Sequence, residues 1–177
     1  MRRVLTVHAT QGYDRAIDAA ADLLTRLRLD FAFVGSVAHA AWLGTTVERG
    51  SLDILALMAP EQKNQVAMMA SNRGFRVDRD EIEQSEELDL VPIRFPGEEG
   101  EVRIHVLVAS NALYARMVTA AVPFEKGKVV RAEDLALLLA LGEDGDAKKL
   151  IHLPGFDRRG YNERLMSIGL PELTVNE

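Results

Sequence analysis

Apolar residues in the first thirty positions fall at Ile17, Ala20, Ala21, Leu24 and Leu27, a spacing that lines one stripe of a helix. With Asp14 as a cap, the pattern predicts an amphipathic helix over roughly residues 14 to 29, packed on a sheet. The periodicity then changes. Phe31-Ala32-Phe33-Val34 reads as a short buried strand, Gly35-Ser36 ends it as a tight turn, and a helix of small residues follows from Val37 to Leu43 before Gly44 stops it. Ser51 to Met58 is apolar apart from its start and Asp53, which predicts a central strand. Pro60 opens a further helix that reaches about Asn72.

Beyond Gly74 the pattern predicts a short strand at Phe75 to Val77 and an exposed, acid-rich loop or helical turn at Arg79 to Glu87. Leu88 to Phe95 has a broken period of two, and its internal Pro92 assigns it to a sheet edge. Pro96 to Gly100 forms the turn of a hairpin whose second arm is Val102 to Val108, with Arg103 and His105 on one face and Ile104 and Val106 on the other. Asn111 starts a helix to about Thr119, extended chain surrounds Phe124 and Val129-Val130, and Glu133 to Leu141 is a strongly apolar helix. Shorter helices are expected at Ala147 to His152 and Glu163 to Ile168. The order, a sheet-rich first part and helices after, predicts an α/β (α+β) fold. One domain over 1–177 is expected, with a core of about 14–153 and a helical C-terminal extension over 154–177.

Composition narrows the function classes. A hydrophobic content of 47% in 177 residues supports a packed core. No apolar run approaches the roughly 20 residues that a membrane-spanning helix needs, and the charged, broken opening from Met1 to His8 does not read as a signal peptide. A cytoplasmic protein without membrane contact is expected. There is no cysteine, which excludes disulfides, thiolate nucleophiles and thiolate metal sites. The formal charge of −6 opposes binding of nucleic acid through bulk attraction, and the basic stretches at Arg2-Arg3, Lys126 to Arg131 and Arg158-Arg159 are brief.

Two features carry candidate chemistry. Gly35-Ser36 lies between a strand and a helix, where backbone can approach a phosphate and the helix N-terminus presents unpaired N–H groups. Arg49-Gly50-Ser51-Leu52-Asp53-Ile54 leads into the next strand. Together these segments resemble the nucleotidyltransferase superfamily, over roughly residues 14 to 153. The phrases Phe33-Val34-Gly35-Ser36-Val37-Ala38 and Arg49 to Leu57 are most similar to the small abortive-infection toxin-type members. Val130-Arg131-Ala132-Glu133-Asp134-Leu135 resembles their Pro-Glu-Asp-Leu helix start, with Ala132 in place of proline.

The resemblance implies a nucleotidyltransferase-like fold, a mixed sheet flanked by helices, and a site in which carboxylates on neighbouring strands hold Mg²⁺ ions against a triphosphate. It places Asp53 as the catalytic, metal-binding carboxylate, and Gly35, Ser36, Arg49, Ser51 and His105 around the nucleotide. It also marks departures. Leu55 stands at the position of the second carboxylate, His105 at that of the third, and Leu139 is the nearest counterpart of a family lysine. Mg²⁺ prefers oxygen ligands, so the set Asp53, Leu55 and His105 suits it poorly and reads as a degenerate, pseudoenzyme site. Mg²⁺ is expected as a cofactor only if the chain is active.

Each residue also has a plainer reading. Asp53 could bond a neighbouring backbone N–H, His105 could be a half-buried hydrogen-bonded residue, and His39 and Trp42 could pack. Arg49 could pair with Glu48 or another acid. Three functions follow. The chain has lost two-metal catalysis and binds a nucleotide-like ligand or a protein partner; or it is an active, divergent nucleotidyltransferase; or it belongs to a bacterial toxin–antitoxin pair. Activity would require a replacement carboxylate, with Asp89, Asp134, Asp144 and Asp146 as candidates.

Overall fold

A computed structural model describes residues 4–85, 89–98, 100–142 and 147–172. Their contacts group into two compact units, Met1–Val130 and Arg131–Glu177. The first unit holds a six-stranded mixed sheet with helices packed on it, the fold class that the alternation of periods predicts.

The chain opens with β1 (His8–Ala9), then α1 (Gln11–Arg26), β2 (Asp30–Phe33), α2 (Gly35–Leu43), β3 (Thr46–Val47) and β4 (Leu52–Leu57). A 3-10 turn at Pro60–Gln62 leads into α3 (Lys63–Asn72). Then follow α4 (Arg79–Gln84), β5 (Leu90–Gly97), β6 (Gly100–Val108), α5 (Ala112–Thr119), β7 (Val122–Phe124) and β8 (Gly127–Val129). The sheet order is β5-β6-β4-β2-β8-β7. Thus β5, with Pro92, lies at an edge as expected, and the run around Phe124 and Val129 is a short antiparallel hairpin.

Several boundaries differ from the sequence reading, for physical reasons. Helix α1 starts at Gln11 because the preceding backbone is already fixed: β1 pairs parallel with β3, and the Thr10 N–H donates to the Val47 carbonyl at 2.9 Å. Asp14 then falls in the first turn, where its charge complements the helix dipole, and pairs with Lys126 at 2.6 Å. The acidic stretch after Val77 forms α4 because the Asp78 carboxylate accepts from the Asp80 and Glu81 N–H groups. Residues 86–88 of that stretch lie outside the described set. The strand expected at Phe75 to Val77 reduces to a single bridge between Arg76 and Arg94.

In the first unit α1 lies against β2, β5 and β6, α3 against β5, and α5 against β2 and β4. Leu52, Ile54, Ile104, Val106 and Phe33 form one wholly buried sheet face, with Ile17, Leu23 and Leu24 from α1 in the same core. Phe33 meets Phe31 and Phe124 edge-to-face, with ring centroids 5.9 and 5.8 Å apart.

The second unit contains α6 (Ala132–Leu141), α7 (Ala147–Ile151) and α8 (Arg158–Ser167). Its apolar residues Leu135, Leu137, Leu150 and Leu165 are buried. Glu133 and Asp134 are buried too, and both hold helix to helix. The Glu133 carboxylate accepts from the Asp157 N–H at 2.8 Å, and Asp134 lies 2.8 Å from the Arg164 guanidinium. The paired acids at the start of α6 therefore have a structural use within this unit.

Phe33→Ala should remove both aromatic contacts from the middle of the sheet and leave a cavity, at a cost of about 3–5 kcal/mol in denaturant unfolding. A loss below about 1 kcal/mol would mean that the sheet core does not depend on this ring.

Candidate functional site

The site forms where the end of β2 meets the beginning of β4. These strands are antiparallel, and the Val34 N–H extends their ladder by donating to the Asp53 carbonyl at 2.9 Å. The chain then turns directly into α2. Gly35 is the first helical residue and has φ +53°, a left-handed conformation that favours glycine. The Gly-Ser pair is thus the first turn of the helix, where the sequence predicted a separate turn before it. A Cβ on Gly35 would lie 2.9 Å from Asp53 Oδ2, so glycine also makes room for that carboxylate against the helix start.

Strand β4 runs parallel to β6, with Asp53 directly opposite His105. His105 Nδ1 lies 2.9 Å from Asp53 Oδ1. A carboxylate only accepts, so the imidazole donates from Nδ1, and in the neutral ring Nε2 is the nitrogen that carries the lone pair. Ser51 Oγ donates to the same Oδ1 at 3.1 Å, and Ser36 Oγ donates to the Ser51 carbonyl at 3.1 Å. Of the Asp53 and His105 side chains, 29% and 36% of the surface remains open. The dyad is accessible from solvent.

The segment before Asp53 is held from the other side. Tyr13, on α1, donates its hydroxyl to the Gly50 carbonyl at 2.9 Å, and burial pushes the phenol above its ordinary pKa, which keeps the donor protonated. A cleft of about 540 Å³ adjoins this segment, lined in part by Ser36, His39, Thr45, Thr46 and Arg49. His39 Nδ1 lies 2.9 Å from Thr45 Oγ1. Trp42, by contrast, is part of the packing and donates its indole N–H to the Val130 carbonyl at 2.9 Å.

The structure brings Gly35, Ser36, Ser51, Asp53 and His105 into one hydrogen-bonded and close-packed cluster, with Arg49 on the adjoining cleft. Asp53 bonds side chains here, and His105 is the half-open, hydrogen-bonded residue of the plainer reading. Arg49 is exposed and makes no ion pair with another described residue, so the pair suggested with Glu48 is not formed. Arg103 was not singled out as a ligand from sequence. It shares the His105 face of β6, about 7 Å along the strand, is exposed, and pairs with no described carboxylate. The alternation of β6 was the signal for it. Tyr13 and the threonines carried no such signal.

The donor set does not fit Mg²⁺. Asp53 Oδ1 already takes two hydrogen bonds, Leu55 is 3% exposed and apolar, and His105 offers nitrogen. Among the described residues no three His, Asp or Glu side chains gather as a metal cluster. Asp89 is exposed, and its carbonyl accepts from Val108, three residues or about 10 Å beyond His105. Asp134 is the partner of Arg164 in the second unit. Asp144 and Asp146 lie outside the described residues.

No protein-family model and no curated protein matches the sequence. Among solved structures, the chain is similar to terminal uridylyl transferase 4 from Trypanosoma brucei, with bound GTP, at 13% identity and a TM-score of 0.44. That match covers 94% of this chain, which spans only 43% of the trypanosomal chain. A protein of Thermotoga maritima described as a nucleotidyltransferase is similar at 18% identity and a TM-score of 0.47, over 89% of this chain and 98% of the other. An antigenic nucleotidyltransferase-like protein from Paracoccidioides brasiliensis is similar at 12% identity and a TM-score of 0.45, over 82% and 75%.

Gly35→Ala should push the Asp53 carboxylate away and strain the start of α2, at a cost of about 1–3 kcal/mol. The His105 imidazole resonances should shift in the same variant. Unchanged stability with unchanged His105 resonances would show that the close approach of Gly35 and Asp53 is not needed.

Proposed function

We propose that this chain is a nucleotidyltransferase-like protein that has lost the usual two-metal catalysis and binds a nucleotide-like ligand where α2 begins. The observation that carries the reading is the 2.9 Å bond from His105 Nδ1 to Asp53 Oδ1. It commits one of the two carboxylate oxygens to the imidazole, and the neighbouring position on the same face is Leu55, which offers no second acid. Charge for the phosphates would come from protein groups: the N-terminus of α2, Arg49 at the cleft and Arg103 beyond His105. The threonines and His39 of the cleft would meet the polar edge of the ligand.

The formal charge of −6 disfavours extended nucleic acid and fits a small ligand gripped by a few local cations. No helix among the described residues is long and apolar enough to cross a membrane.

Titration with ATP, GTP, CTP and UTP, followed by thermal unfolding, tests the reading. One nucleotide should raise the unfolding temperature equally in EDTA and in Mg²⁺. At about 100 times its Kd the gain should be about 2.7 kcal/mol, and Arg49→Ala should remove much of it. No response to any nucleotide would overturn the reading. A response that needs Mg²⁺ and disappears in Asp53→Ala would identify a metal-dependent enzyme instead.

A further inference from the structure

We infer that His105 is a metal-independent general base, with Asp53 as its positioning residue, acting on a phosphate ester or anhydride bound beside it. The inference rests on the phosphate-ligand reading and goes beyond it by assigning a reaction to the same face. Its first support is the tautomer. Asp53 accepts the hydrogen bond from Nδ1–H, so in the neutral ring the lone pair is on Nε2, and Nε2 makes no hydrogen bond with another described residue. A second support is restraint. The Asp53 oxygen that receives His105 also receives Ser51 Oγ, whose own carbonyl is tied to Ser36, while Gly35 packs against the other oxygen. The carboxylate is therefore fixed, and it fixes the ring.

The geometry also excludes a serine nucleophile. Ser51 and His105 converge on one carboxylate oxygen, so the serine hydroxyl is turned to Asp53 and away from Nε2. The nucleophile must come from outside, as water or a ligand hydroxyl. Arg103 projects from the same face of β6 as His105, where it can offset charge on the attacked phosphoryl group.

With a nucleoside triphosphate the step balances as follows. The oxygen of water or of a hydroxyl attacks the α-phosphorus, and its proton passes to Nε2. The bond from phosphorus to the bridging oxygen breaks, and pyrophosphate leaves with the electron pair. The imidazolium keeps its Nδ1 hydrogen bond to the Asp53 carboxylate, which stabilises the charge, and later releases the Nε2 proton to solvent.

The test uses the full chain in EDTA with each of the four nucleoside triphosphates, following thermal stabilisation and pyrophosphate release in parallel. One nucleotide should both stabilise the protein and release pyrophosphate, and His105→Gln should slow release about 100-fold or more while remaining folded by circular dichroism. Should that variant fail to fold, Asp53→Asn provides the second arm. There the ¹⁵N signals of His105 should report a move of the proton from Nδ1 towards Nε2, and release should fall. Stabilisation without pyrophosphate release in the wild type would overturn the inference and leave the binding reading standing. No stabilisation would overturn both. Release that is equal in wild type and His105→Gln would also overturn the inference.

Discussion

The hydrogen bond between His105 and Asp53 fixes what this site can be. It joins two adjacent parallel strands on their one half-open face, and it depends on a register in which the two residues stand directly opposite. A slip of one residue in β4 would turn Asp53 into the core beside Ile104 and turn Ile54 out of it. The buried face thus enforces the register, and the register delivers the dyad. Hydrophobic packing and site geometry are two consequences of the same alternation along β4 and β6.

Around that bond the surrounding elements have separate tasks. The turn from β2 into α2 brings a glycine against the carboxylate, and only a residue without Cβ can take both that position and φ +53°. Ser51, Ser36 and Tyr13 tie the preceding loop to α2 and α1, so the carboxylate is held by three segments distant in sequence. Such restraint suits a group that orients another. A two-metal site would instead need a second acid beside it, and Leu55 at that place is buried and apolar.

Much of the fold was legible because its periods are distinct. The stripe in α1, the apolar run of β4, the alternation of β6 and the edge proline of β5 each state their environment locally. What escaped was set by long-range contacts. The β1–β3 pairing joins two-residue strands, too short to leave a pattern, and moves the start of α1. The acids Asp78 and Glu133 look alike in sequence, yet one caps its own helix and the other accepts from the backbone at the start of α8. Within the site, the Gly35-Ser36 turn, Asp53 and His105 could be named from the sequence, but their mutual bond could not, since it depends on strands 52 residues apart. Arg103 was visible only as one member of an alternating face.

The proposed function requires Asp53 to be committed to His105 and not to a divalent ion. Titration of Mn²⁺ with the protein, followed by electron paramagnetic resonance of the free aquo ion, tests this most directly. The aquo signal should remain essentially unchanged at micromolar protein and metal, in the wild type as in Asp53→Ala. A stoichiometric loss of that signal in the wild type, restored by Asp53→Ala, would contradict it and return the site to metal chemistry.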